Sequence, residues 1–252
     1  MIDLHSHILP GFDDGSKSLD ESIAMLKIAA AAGTTDIVAS PHANPDFPYQ
    51  AEAVDRAVAD LQRASGPAPR IHRGCDFHLS YDNIQDALAN PDRYTINHKN
   101  YLLVEFSDLL IAKSIDEVFR RMRQSGIIPV ITHPERNALL QRRRGQLQAW
   151  VETGCALQVT AQSFFGRFGT EARDSARELM KRNLVHFIAS DAHDCEDRPP
   201  KLDEAHAYVA KKYGEARAER LFVLNPEAAL YGERIELTSI PEPPRRKWYQ
   251  FW

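Results

Sequence analysis

The chain has 252 residues and a hydrophobic content of 43%, which is enough for the core of one large α/β domain or of two small ones. Its formal charge of −4 excludes a general attraction to nucleic acid or to an anionic membrane surface. The sequence holds no apolar run of the roughly 20 residues that a membrane span needs and no signal peptide, so we expect a cytoplasmic protein.

The first fifteen residues combine a strand pattern with two histidines. Ile2 and Leu4 alternate with polar residues, which predicts a short strand, and His5 and His7 point the same way from its end. Two imidazoles that converge on one point suit a divalent transition metal. A His-x-His pair alone also fits an ordinary surface or core position. Whether this pair binds a metal therefore depends on further candidate ligands elsewhere in the chain.

Helix and strand patterns alternate along the rest of the chain. A capping-box pattern at residues 18–21 begins the first helix. The strands predicted after the first lie at residues 36–40, 71–77, 101–106, 127–132, 156–160 and 184–190. The predicted helices cover residues 18–33, 51–64, 114–125, a stretch that ends at 153, 170–182, 202–212 and 216–224. Strands that are each followed by a helix indicate a parallel sheet, and seven of them favour a closed barrel over an open sheet.

We therefore expect one α/β domain over residues 1–240, a seven-stranded (β/α) barrel, followed by a tail at 241–252. The tail sequence, PEPPRRKWYQFW, contains prolines that exclude regular structure. Its basic and aromatic end suits docking on a partner, on a membrane face or on the barrel itself. An ordinary tail, packed on the domain or loose in solvent, fits the same composition.

The three cysteines give no sign of a disulfide or of thiol chemistry. Cys75, Cys155 and Cys195 are far apart and form no C-x-x-C pair. A phosphatase with a thiolate nucleophile needs an arginine six positions after its cysteine to bind the phosphate. Those positions hold Tyr81, Ala161 and Lys201. The sequence therefore disfavours that class of phosphatase.

Imidazoles and carboxylates follow six of the seven predicted strands, at the end where barrels of this class assemble their active sites. These candidate ligands are His5, His7, His42, Asp76, Glu105, His133, Asp191 and His193. Glu105 alone fits a buried salt bridge equally well, but the whole set would be costly to bury unless its members shared metal ions. Nitrogen and oxygen donors without cysteine favour Mn²⁺, Fe²⁺, Zn²⁺ or Mg²⁺. One ion cannot use so many ligands, so we expect two or three.

Two arginines follow the last members of this set and indicate the substrate. Arg136 comes three residues after His133, and Arg198 comes five residues after His193, so both would lie over the metal face. A guanidinium binds phosphate oxygens bidentately and neutralises charge in a transition state. Each arginine alone fits a surface ion pair nearly as well. Together with paired metals, which stabilise in-line displacement at phosphorus, they predict phosphate ester hydrolysis.

The motifs resemble those of a known family. They are HSH at 5–7, DDG at 13–15, SPH at 40–42, LVEF at 103–106, PVITHPER at 129–136, QVTA at 158–161, IASDAH at 188–193 and RPP at 198–200. In this order they closely resemble the bacterial metal-dependent protein-tyrosine phosphatases of the PHP (polymerase and histidinol phosphatase) superfamily, which act beside capsular and exopolysaccharide assembly systems. The resemblance runs from Met1 to about Leu230.

The resemblance implies a distorted seven-stranded (β/α) barrel with a site for three metal ions, with Mn²⁺ as the expected ion. Carried over, His5, His7, Asp76 and Asp191 hold one metal, Asp76, Glu105 and His133 a second, and Asp14, His42 and His193 a third. Arg136 and Arg198 bind the phosphate. The implied reaction is attack of a metal-bridging hydroxide on phosphotyrosine, in the tyrosine-rich tail of an autokinase that controls polysaccharide export. At the bridging position the family usually has Glu, where this chain has Asp76.

Two other functions are compatible with these residues. One is a small-molecule phosphatase of the same superfamily, such as histidinol-phosphatase. The other is a metal-binding partner of the kinase that has no catalytic activity. The complete ligand set, which includes His42, Glu105 and His193, favours an enzyme over the idle partner.

Overall fold

A computed structural model of the chain describes residues 1–237, in which strands and helices alternate. The strands are β1 (Ile2–Ser6), β2 (Asp36–Ala39), β3 (His42–Ala43), β4 (Arg70–Arg73), β5 (Asp76–His78), β6 (Tyr101–Glu105), β7 (Ile128–Thr132), β8 (Ala156–Thr160) and β9 (Phe187–Ala189). The helices are α1 (Leu19–Ala31), α2 (Ala51–Ser65), α3 (Tyr81–Ala89), α4 (Ile115–Gln124), α5 (Ala138–Gln141), α6 (Arg144–Glu152), α7 (Gly169–Lys181), α8 (Asp203–Tyr213), α9 (Glu215–Glu219) and α10 (Asn225–Tyr231). Short 3₁₀ turns lie at Ile96–His98 and Ala161–Phe165, and a π turn at Arg220–Leu224.

The structure differs from the prediction at the second and third strands. The predicted second strand, 36–40, corresponds to β2, and a further short strand, β3, follows Pro41, which has no N–H for a ladder. The predicted third strand, 71–77, is divided into β4 and β5 at Gly74 and Cys75. β2 and β4 join β1 in a sheet of order β1-β2-β4, and β3 and β5 begin a sheet of order β3-β5-β6-β7-β8-β9. Every pair of neighbouring strands is parallel.

The end of β9 lies beside β1. Asp191 N donates to His5 O at 2.8 Å, His7 N donates to Ala192 O at 2.8 Å, and Ser6 forms an isolated parallel bridge with Ala192. These contacts bring the end of the six-stranded sheet next to the first strand of the three-stranded sheet. The prediction of one α/β domain with parallel strands is confirmed.

Alternating strand residues fill two apolar layers. On β6, Leu103 belongs to one cluster with Leu4 and Phe187, while Val104 belongs to a second cluster with Trp150 of α6. Burying an aliphatic or aromatic side chain contributes about 1.5–3 kcal/mol, so both layers stabilise the sheet.

Some element bounds differ from the prediction. The sequence analysis missed α3, although Ser80 caps it by accepting a hydrogen bond from Asn83 N, and it missed α10. The last strand begins at Phe187 rather than at 184 because Leu157 N donates to the Nδ1 atom of His186 and not to a backbone carbonyl. The predicted tail at 241–252 lies outside the described residues. Within residues 1–237, no helix combines the length and the apolar character that crossing a bilayer requires.

Candidate metal centre

His5 and His7 converge with two carboxylates at the end of β1. The two Nε2 atoms are 3.2 Å apart, and both rings are buried. His5 Nε2 lies 3.4 Å from Asp76 Oδ2 and 3.4 Å from Asp191 Oδ1. His7 Nε2 lies 3.4 Å from the same Asp191 oxygen. Side chains from β1, from β5 and from the segment after β9 thus meet at one point.

His42, the first residue of β3, connects this group with the remaining candidates. Its Nδ1 atom lies 3.3 Å from Asp76 Oδ2 and 3.6 Å from Glu105 Oε2. Glu105 Oε1 is in turn 3.6 Å from His133 Nε2. On its other side, His42 Nε2 lies 3.3 Å from Asp14 Oδ1.

Distances place seven of the nine candidate ligands in groups that could each hold one ion, with all ligand atoms within 4.8 Å of one another, and leave His133 and Asp191 outside these groups. The groups are His7, Asp14, His42 and His193; His5, His7 and Asp76; and His42, Asp76 and Glu105. His7, His42 and Asp76 each belong to two groups, so neighbouring sites would share ligands. In the sets implied by the resemblance only Asp76 is shared. The distances add His7 to the group of Asp14 and His42 to the group of Glu105.

Buried polar atoms in the centre lack partners of their own. Within the described chain, Asp76 Oδ1, Asp76 Oδ2 and His42 Nδ1 make no hydrogen bond, although the last two lie 3.3 Å apart. A buried carboxylate that makes no hydrogen bond is costly, and divalent cations satisfy such groups. The donors are imidazole nitrogens and carboxylate oxygens, which suit Mn²⁺, Fe²⁺ or Zn²⁺. The residues therefore fit divalent metal ions.

Two candidate ligands have an unusual backbone conformation. His133 has φ of 33° and Asp191 has φ of 53°, in the left-handed region that side-chain-bearing residues seldom adopt. Such a conformation costs on the order of 1–3 kcal/mol per residue and persists where surrounding contacts enforce it, commonly at functional sites. The fold thus holds both side chains in place against local strain.

The carboxylates favour positive charge on two of the imidazoles. Burial opposes a charge on His7, but Asp13 outweighs it and raises the pKa of His7 to about 9. Burial likewise opposes a charge on His42, but Asp14 and Asp76 raise its pKa to about 11. An imidazole binds a metal in its neutral form, so metal binding here would release protons.

Burial disfavours the charged form of three other members of the centre. Burial, followed by repulsion from Arg136, lowers the pKa of His133 to about 3. Burial and repulsion from His7 lower the pKa of His193 to about 3. Burial raises the pKa of Glu105 to about 7. His133 and His193 therefore have free nitrogen lone pairs at neutral pH, which is the state a metal ligand requires.

Two further residues orient the imidazoles, and the sequence analysis did not assign them. His7 Nδ1 donates to Asp13 Oδ2 at 2.6 Å, and His5 Nδ1 lies 3.0 Å from Gln158 Oε1. These contacts turn both Nε2 atoms toward the centre, as partners of metal-binding histidines do. Asp13 also accepts from Gly15 N at 3.0 Å, and an added Cβ at Gly15 would lie 2.2 Å from the His7 backbone oxygen. The DDG motif could have indicated this contact in the sequence, because its glycine permits the close approach of residue 15 to the His7 backbone.

Arg136 and Arg198 border the centre and share one acceptor. Both donate to Asp191 Oδ2, Arg198 at 2.5 Å, while Asp191 Oδ1 faces His5 and His7. About a fifth of each arginine side chain is exposed, 23% for Arg136 and 22% for Arg198. One carboxylate thus joins the histidine group to a cationic edge that an anion can reach.

Comparison with known proteins places the chain in a family. The family described as capsular polysaccharide synthesis, CpsB/CapC, matches residues 1–231. The chain belongs to the CpsB/CapC family. Its CpsB/CapC relatives include the tyrosine-protein phosphatase YwqE of Bacillus subtilis (strain 168), which is 32% identical, with 100% of both chains covered. The tyrosine-protein phosphatase CpsB of Streptococcus pneumoniae is 31% identical, with 93% of this chain and 100% of the relative covered.

A solved structure agrees with this CpsB/CapC assignment. A crystal structure from work on YwqE of B. subtilis and CpsB of S. pneumoniae, described as metal-dependent tyrosine phosphatases, matches with a TM-score of 0.88 and 31% identity, covering 98% of this chain and 100% of the other. The lactonase Lmo2620 of Listeria monocytogenes, at a TM-score of 0.58 and 14% identity over 92% of this chain and 95% of that one, shares the fold alone. The predictions of the family and of a metal-dependent tyrosine phosphatase are confirmed by the CpsB/CapC relatives.

Proposed function

We propose that this protein hydrolyses phosphotyrosine in a protein substrate at the centre formed by the strand ends. The observation that carries the proposal is the position of Asp191, between buried histidines on one side and two partly exposed arginines on the other. Such a site places ligands for metal ions on one side of a single carboxylate and hydrogen-bond donors for a phosphate on the other side. The family relatives, which are named tyrosine-protein phosphatases, support the same activity.

The proposed cofactors are three divalent ions, with Mn²⁺ as the expected metal. The proposed ligands are His5, His7, Asp14, His42, Asp76, Glu105, His133, Asp191 and His193. When bound, such ions supply Lewis-acid stabilisation of phosphoryl charge and lower the pKa of water at the site. Neither carboxylate oxygen of Asp76 makes a hydrogen bond within residues 1–237, which supports Asp76 as a residue that would hold such ions.

The chain's own residues supply binding and orientation. Arg136 and Arg198 donate to phosphate oxygens and stabilise the charge that builds on them. Asp13 and Gln158 fix the ring orientations of His7 and His5. The leaving phenolate belongs to a phenol with a pKa near 10, so a dedicated general acid is unnecessary.

The proposed substrate is the tyrosine-rich tail of a bacterial tyrosine autokinase in capsule or exopolysaccharide synthesis. The family description as capsular polysaccharide synthesis supports this setting. The cytoplasmic location and the separate tail at 241–252 stay predictions. Histidinol phosphate hydrolysis and an idle, metal-binding role are the competing functions.

Substrate selectivity tests the proposal. Mn²⁺-loaded protein is incubated with a phosphotyrosine peptide, with the same peptide carrying phosphoserine, and with histidinol phosphate, and phosphate release is measured. We expect turnover of the phosphotyrosine peptide and little of the other two. Turnover of histidinol phosphate alone would assign the protein to small-molecule metabolism, and no turnover of any substrate would favour the idle partner.

A further inference from the structure

The ring of Phe168 lies against both arginines of the candidate site. The guanidinium carbon of Arg136 is 4.1 Å from the ring centroid, and that of Arg198 is 5.8 Å away. Cations within about 6 Å of an aromatic centroid are attracted by the ring quadrupole. One aromatic side chain therefore contacts two cations that would otherwise repel each other across Asp191.

The arginines keep unused hydrogen-bonding capacity in this arrangement. Both donate to the single oxygen Asp191 Oδ2, whereas a guanidinium has five N–H donors. Arg198 Nε is buried and finds no acceptor among residues 1–237. A buried donor without an acceptor is costly, and an anion with several oxygens, such as phosphate, would satisfy it. A ring contact occupies a guanidinium face and leaves its N–H edge free for such an anion.

The segment that carries Phe168 is anchored beside each arginine. Gly166 and Gly169, with φ of 85° and 90°, flank it and turn the chain between the 3₁₀ turn and α7. The buried side chain of Glu135, next to Arg136, accepts from Thr160 N at 2.9 Å and from Ser163 Oγ at 2.7 Å.

On the other side of the ring, Arg167 donates to Asp197 at 2.6 Å. Asp197 immediately precedes Arg198, and Arg167 immediately precedes Phe168. The hydrogen bonds of Glu135 and of Arg167 therefore connect the segment that carries Phe168 to the segments that carry Arg136 and Arg198.

We infer that Phe168 is a positioning residue that holds Arg136 and Arg198 in the geometry in which they bind the phosphate of the substrate. When phosphate binds, the N–H groups of the two arginines turn from Asp191 to the phosphate oxygens. The Phe168 ring keeps the guanidinium planes in place during this change, so that binding costs less side-chain conformational entropy. The identity of the substrate rests on the proposed function. The phosphate-binding role does not, because inorganic phosphate reports on it directly.

The test uses Phe168→Leu, which removes the aromatic face but keeps an apolar side chain, and Phe168→Tyr, which keeps the face. Phe165→Leu is the matched control, because Phe165 is exposed and contacts Tyr208. Calorimetry measures inorganic phosphate binding to Mn²⁺-loaded protein, and metal content and thermal unfolding are recorded for each variant. We expect phosphate affinity to fall about tenfold in Phe168→Leu, a size typical of partly desolvated cation–π contacts. Phe168→Tyr and Phe165→Leu should stay within about twofold of wild type.

A double-mutant cycle separates positioning from general packing. In an Arg136→Ala background, Phe168→Leu should weaken phosphate binding by much less than in wild type, because the main contact is already absent. Equal losses in both backgrounds, equal losses in Phe168→Leu and Phe168→Tyr, or unchanged affinity in Phe168→Leu would each overturn the inference. Failure of the proposed function looks different. In that case phosphotyrosine peptide is not hydrolysed by wild type, while the phosphate-binding differences persist.

Discussion

His7 donates from Nδ1 to Asp13 Oδ2 at 2.6 Å, which leaves its Nε2 atom turned to the candidate ligands Asp191 and His5. Removing such a partner of a metal-binding histidine typically lowers metal affinity by about 10–100-fold. We expect Asp13→Asn to do so, because the amide is uncharged and no longer favours the same ring orientation. Titration of chelated protein with Mn²⁺ measures the change. Asp20→Asn, at an exposed position in α1, is the control, and equal affinity in both variants would contradict the role of Asp13.

Arg136 contacts Asp191 without being a candidate metal ligand. Arg136→Ala should lower phosphotyrosine hydrolysis at least about tenfold, because a charged donor to the phosphate is lost. Metal content should stay unchanged. Steady-state kinetics and metal analysis of the same sample give both values. Arg142→Ala, at an exposed position before α6, should behave like wild type, and unchanged turnover in Arg136→Ala would remove this arginine from the phosphate site.

Asp76 is a buried candidate ligand whose carboxylate oxygens make no hydrogen bonds within residues 1–237. Asp76→Asn keeps the shape but removes the charge, so it should lose at least one bound ion per chain. Asp76→Glu restores the residue usual in the family and should leave activity unchanged or raised. Loss of all metal in Asp76→Glu would mean that the local backbone is adapted to the shorter side chain.

The positions at which the strands end could be predicted from the sequence, because hydrophobic runs and glycines mark them. Apolar residues at 101–104 and the charge of Glu105 define both the strand and the ligand that follows it. The division of the strand predicted at 71–77 and the short strand β3 after Pro41 were not evident, because the hydrophobic pattern alone does not show which strands pair with which.

Contacts within the site were harder to predict. The spacing does not tell which of two adjacent acids meets an imidazole, and the structure turns Asp13 to His7 and Asp14 to His42. Phe168 gave no signal, since its contact with Arg136 joins segments that are distant in sequence. Such contacts depend on how segments pack in three dimensions.

Stability should depend on pH through His186, a buried residue that is not among the candidate ligands. Burial lowers its pKa to about 4, and its Nδ1 atom accepts from Leu157 N at 3.1 Å. In the unfolded chain a histidine titrates near 6.5, so below that pH the unfolded state binds more protons and stability falls until about pH 4. Between pH 7.5 and pH 5 this one residue should reduce the free energy of unfolding by about 2 kcal/mol.

His186→Gln cannot take up the proton, but its amide oxygen can still accept from Leu157 N. Urea unfolding of chelated protein at pH 7.5 and pH 5 should therefore show a smaller pH-dependent loss in His186→Gln than in wild type. His206→Gln, in α8, serves as the control because it leaves His186 unchanged. An identical pH-dependent loss in wild type and His186→Gln would show that His186 is not the titrating group.

The most direct test of the account is reconstitution of activity by metal at the proposed ligands. Wild-type protein and His42→Ala are stripped with a chelator, reloaded with Mn²⁺ in steps, and assayed for bound metal and for hydrolysis of a phosphotyrosine peptide. The account predicts that stripped wild type is inactive, that turnover returns as the ions bind, and that His42→Ala binds fewer ions and recovers little activity. Full activity in stripped wild type, or full recovery in His42→Ala, would contradict it.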